Sequence, residues 1–74
     1  MREVKKGQKY RHFKGNIVEV VAVAKDSETL NDCVIYIHDG TYWVRDINMF
    51  LSEVDHKKYP DVKQKYRFEL IEEE

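Results

Sequence analysis

The residues that could do chemistry in this chain are few, and they come in two short blocks. Tyr10-Arg11-His12-Phe13-Lys14 alternates aromatic with basic side chains, and Trp43-Val44-Arg45 sets an indole two residues from a guanidinium. Arg11, Lys14 and Arg45 could converge on an anion such as phosphate or carboxylate, which an arginine fork grips with paired hydrogen bonds. The competing and stronger expectation is that they form structural salt bridges with Glu19, Glu28 or Asp46. His12 could serve as an acid or base, but only with a partner in hydrogen-bond reach and a nucleophile nearby. Glu28 is its candidate partner. No motif links the two, so a packed imidazole with one satisfied nitrogen is expected.

Tyr10, Tyr36, Tyr42 and Trp43 could stack on bases or dock a peptide, although a small domain needs most of its large side chains as core. On a strand Tyr42 and Trp43 point to opposite faces, so one of them is expected in the core. Ser27-Glu28-Thr29 is too short to mark a nucleophile. Glu28 could grip a basic ligand or Arg11, while Ser27 or Thr29 closes the loop on itself. Met49 and Phe50 are expected to plug one end of the fold.

Other chemistry is excluded by what is missing. Cys33 is the single cysteine, so no internal disulfide forms, and a reducing compartment is expected. A buried, inert thiol is expected there. With His12, His38 and His56 scattered, no C-x-x-C or H-x-x-x-H spacing sets a metal cage, and no cofactor is expected. No apolar run approaches the ~18–20 residues of a membrane span. The basic start lacks the apolar segment of a signal peptide, so the expected location is the cytoplasm. Lys and Arg total 13 against 14 Asp and Glu, so bulk charge selects no partner. The first fifteen residues are basic and the last six acidic, and the simplest expectation is that the two ends attract.

These side chains need strands to hold them. Residues 1–8 read as a ragged lead-in and 72–74 as a frayed tail of one domain spanning 1–74. A short strand is expected at Tyr10–Lys14, followed by a Gly15-Asn16 turn. Ile17–Ala24 is apolar on both faces, which predicts a central strand. Lys25–Asp32 predicts a loop. Cys33–His38 and Thr41–Arg45 predict a hairpin about Asp39-Gly40, a dipeptide suited to a tight two-residue turn. Ile47, Phe50 and Leu51 predict one or two helical turns capped by Asp46 or Asn48. Val54–Lys58 reads as polar and mobile, Pro60 as a breaker, and Tyr66–Leu70 as a closing strand. The order predicts a mainly β fold of about five antiparallel strands: an SH3-like roll or partly open barrel, or else an open sheet with a helix on one face.

Tyr10-Arg11-His12-Phe13-Lys14-Gly15, Ser27-Glu28-Thr29, Val34-Ile35-Tyr36, Trp43-Val44-Arg45 and Met49-Phe50 occur here in an order and spacing that resemble a family. That family is the bacterial one named domain of unknown function 1653. The resemblance covers roughly residues 9–54, with an echo at Arg67-Phe68. It implies a small SH3-like β-roll of bacterial origin and brings no activity with it. The family's usual pattern sets a His before the Ser/Thr-Glu-Thr element, where this chain has Asp26. Arg45-Asp46 stands for the common Arg-Pro, and Asp39-Gly40 for Tyr-Gly. The missing loop histidine argues against chemistry at that loop.

The expected function is therefore a small binding module for a protein or peptide. Its ligand-binding residues are expected to be Arg11, His12, Lys14, Glu28, Tyr36, Trp43 and Arg45, gathered on one face. A nucleic-acid module using Lys9–Lys14, an enzyme using His12 with Glu28, and a homo-oligomer are the alternatives.

Overall fold

The computed structural model describes residues 3–71. Its strands are β1 (Lys9–His12), β2 (Ile17–Lys25), β3 (Asp32–His38), β4 (Thr41–Asp46) and β5 (Phe68–Ile71), with one helical turn, α1 (Ile47–Phe50), before the last. They form one open antiparallel sheet in the order β4-β3-β2-β1-β5.

Local chemistry explains most of the boundaries. β1 stops at His12 because its N–H donates to the Asn16 carbonyl and its carbonyl accepts from Gly15, so Phe13 and Lys14 fall in the turn. The β3–β4 hairpin turns on Asp39 and Gly40, with φ of 52° and 75°, the left-handed pair that matches strand twist in a two-residue turn. β2 is central, as its apolar character requires, and a register shift between Val20 and Ala22 bends it against β3. β2 and β3 run further than expected, to a Lys25–Asp32 pair joined by a 2.7 Å ion pair. β5 starts later than expected. Tyr66 instead bridges Glu53, and the Arg67 N–H donates to the Ser52 carbonyl.

One face of the sheet carries the core. Tyr10, Val18, Val20, Val34, Tyr36 and Phe68 are buried there with Phe50 of α1. Phe50 stacks on Phe68 at 4.2 Å between ring centroids and meets Tyr10 edge-on at 5.1 Å. The Asp46 carboxylate starts α1 by accepting the Asn48 N–H at 2.8 Å. Three expectations need correcting. The lead-in is not ragged from Val4 on: Val4 is buried, and the Gly7 N–H donates to the Val20 carbonyl. Val54 is a core residue rather than part of a mobile polar stretch. Phe50 alone plugs the core, while Met49 is half exposed. The tail 72–74 lies outside the described residues.

The opposite ends of the chain meet in β1 and β5, where Arg11 lies across from Glu69. The β3–β4 half of the other sheet face leaves Tyr42 and Val44 exposed. Among the described residues, no helix is long and apolar enough to cross a membrane.

Candidate functional site

Strand alternation decides which candidate side chains meet. His12 ends β1 opposite Phe68 of β5, and Tyr36 of β3 lies across from Trp43 of β4. Arg45 and His38 each follow two residues later on the same face. His12, Tyr36, Trp43 and Arg45 therefore line one cleft of about 190 Å³, with Val18 and Phe68. Asn16 and His38 complete it. Buried Val18, Tyr36 and Phe68 give an apolar floor, and polar groups form the rim.

Arg45 and His12 also wall an adjoining cleft of about 350 Å³. Lys14 lies in this second cleft, joined by Lys58 and Arg67. Its aromatic part is a Phe13–Tyr59 pair 5.0 Å apart, with Lys14 Nζ 5.7 Å and Lys58 Nζ 5.6 Å from the Tyr59 ring. The segment 52–67 carries Lys58 and Tyr59 there. It leaves and returns through the Arg67–Ser52 and Val54–Lys65 backbone bonds, and its Gln64 amide donates to the Arg11 carbonyl at 3.0 Å.

Two of the seven expected residues lie elsewhere. Arg11 alternates with His12 and so falls on the other sheet face, exposed, apart from Lys14 and Arg45. The basic stretch Lys9–Lys14 is thereby split between two faces. Glu28 sits in the β2–β3 loop, beyond the far end of a nine-residue strand whose near end holds β1. About 25 Å of strand separates it from His12, so the two form no pair. The loop is closed mainly by Asp26, whose carboxylate accepts the N–H groups of Glu28 and Thr29 at 2.8 and 3.1 Å. These bonds hold the Asp26 carboxyl below its usual range. Thr29 contributes one bond, accepting from Asn31.

The arginine and lysine of the clefts do not form the expected salt bridges. Arg45 Nε lies 3.4 Å from Tyr36 Oη, a long and weak hydrogen bond, and its guanidinium stands 5.9 Å from the Phe68 ring centre. Trp43 was expected to be inside if Tyr42 was outside. Both are exposed, at 49% and 65%, because β4 is an edge strand and the cleft lies open beside the indole. Tyr10 and Tyr36 are buried, and Tyr10 donates its hydroxyl to Gln8. Cys33 is half-buried rather than buried. Its thiol is pushed up by desolvation and then by Asp26, Asp46 and Asp32, which disfavours the nucleophilic thiolate.

The His12 ring packs on Phe13 at 4.4 Å and on Phe68 at 4.9 Å, and its Nδ1 accepts the Lys14 N–H at 3.1 Å. The neutral ring then carries its proton on Nε2. Burial lowers its pKa below the ordinary 6.5, and the positive charge of Arg45, Lys14, Arg67 and His38 lowers it further. The unfolded chain takes up this proton near pH 6.5, and the folded chain only at lower pH. Between those values the unfolded state holds more protons, so His12 makes stability fall as pH drops below about 6.5 and level off below the folded value. Urea unfolding of wild type across this window should show a decline that His12→Gln flattens, and the His12 ring should titrate by NMR with a midpoint below 6.5. A midpoint at or above 6.5 would mean that neither burial nor the surrounding cations hold the ring neutral.

His38 could have been read from strand alternation with Tyr36, and Arg67-Phe68 carried the family echo. Lys58 and Tyr59 have no local signal, since only a long-range return of the chain brings them to β1.

The fold and site define a small antiparallel single-sheet protein with an aromatic-floored cleft beside a cationic one. More particularly, the chain belongs to the family described as protein of unknown function (DUF1653), whose model matches residues 8–70. No curated protein and no solved structure significantly matches the chain.

Proposed function

We propose that this protein is a cytoplasmic bacterial binding module of SH3-like build that recognises a protein or peptide segment. The observation that carries the reading is the cleft uniting Trp43, His12, Tyr36 and Arg45. A half-exposed indole beside a guanidinium, over an apolar floor, is the composition of a recognition hot spot. About 190 Å³ suits one side chain of a partner rather than a whole metabolite. β4, which holds Trp43 and Arg45, lies at an edge of the sheet. An extended peptide could add along that edge and place alternate side chains in the cleft. A protein partner fits better than nucleic acid. Net charge is −1, and counter-ion release needs a continuous basic footprint.

Trp43 is the only tryptophan, so its emission reports on the cleft directly. Peptides selected from a random display library against folded wild type should shift this emission to the blue. Trp43→Ala should weaken their binding about thirtyfold, equivalent to roughly 2 kcal/mol. Selected peptides that leave the emission unchanged and bind Trp43→Ala as tightly would sink the reading. Tighter, salt-sensitive binding of a single-stranded RNA probe than of any selected peptide would transfer the site to the alternative class.

A further inference from the structure

The second cleft poses its own question, because four cationic side chains converge there without matching carboxylates. Lys14, Arg45, Lys58 and Arg67 all line it, and the one acidic side chain is Asp55. Asp55 Oδ1 already accepts the N–H groups of Lys57 and Lys58, at 3.0 and 3.3 Å, to close its own turn. Among the described residues, none of the four cations makes an ion pair within 4.0 Å. Arg67 Nε is buried and has no hydrogen-bond partner. A buried donor left unmade costs about 1–3 kcal/mol, and more when charged. Gathering four like charges along one cleft adds to that cost. Such an arrangement persists most readily where a ligand supplies the missing acceptors.

We propose that this cleft binds the dianionic phosphoryl group of a phosphate monoester. Against four cations and one carboxylate, a carboxylate ligand would leave a surplus of two positive charges, and a monoester dianion reduces it to one. Three terminal phosphate oxygens also offer enough acceptors for two guanidinium forks and two ammonium groups. Tyr59 and Phe13, tilted 54° to one another, provide an apolar wall for whatever carries the phosphate. A phosphodiester, with one charge and a substituent on either side, matches the site less well.

The test uses the full chain, with phenyl phosphate, inorganic phosphate, benzoate and a dinucleotide phosphodiester as probes, by calorimetry and amide chemical shifts. Phenyl phosphate should bind, perturbing amides of Lys14, Lys58 and Arg67, and benzoate and the diester should bind at least tenfold more weakly. The double variant Lys14→Gln/Lys58→Gln, both exposed positions, should lose at least tenfold in affinity with a melting temperature no lower than that of the wild type. Affinity should rise from pH 5 to pH 7.5 as the ligand gains its second charge, near pH 6. The other titratable groups facing the site are His12, Asp55 and Tyr59, and protonation of His12 would drive affinity the opposite way. Equal affinity for benzoate or the diester, or an unaffected double variant, would overturn the proposal. No peptide enters these measurements, so their failure is distinguishable from failure of the peptide reading.

Discussion

Phe50→Ala should be the most damaging single substitution for stability. The ring is fully buried, stacked on Phe68, edge-on to Tyr10, and 5.7 Å from Tyr36. It is the one residue of α1 that enters the core, so it also fixes the connection between β4 and β5. Removing such a ring typically costs about 3–5 kcal/mol, through lost transfer energy and the cavity left behind. A chain of this size has a total stability of only about 4–11 kcal/mol. The melting temperature should therefore fall by about 12 °C or more. Phe50→Leu, which refills most of the space, should lose well under half as much. A shift of less than about 4 °C for the alanine variant would mean that α1 stands outside the cooperative core.

Arg45→Ala should damage binding at both clefts. Arg45 is one of two side chains, with His12, that wall both clefts. Its removal takes a guanidinium from the rim of the Trp43 cleft and one of four cations from the other. Peptide affinity should fall about thirtyfold, and phenyl phosphate affinity at least tenfold. Folding should change by only about 1 kcal/mol, because the Nε–Tyr36 bond is long. Arg45→Lys keeps the charge but not the planar fork, so it should restore only part of the phenyl phosphate affinity that Arg45→Ala loses. Unchanged affinity for both probes would remove Arg45 from the site, and loss of one alone would show that the two clefts work separately.

Much of this molecule was determined locally. The Asp39-Gly40 turn, the apolar run of β2 and the Asp46 cap each act through their own neighbours, so the hairpin, the central strand and the helical turn follow from sequence. The same alternation places Tyr36 beside His38 and Trp43 beside Arg45 on one face. It also separates Arg11 from His12, a division hidden in the block Tyr10–Lys14 until strand faces are assigned. Tertiary structure alone decided the rest. Glu28 lost its place because the length of β2 carries its loop away from β1. Lys58, Tyr59 and Arg67 gained theirs because the 52–67 segment returns to pair with Ser52 and Phe13, contacts that no short-range pattern encodes. The exposure of Trp43 was decided by strand order, since a side chain on the edge strand β4 has a neighbour on one side only.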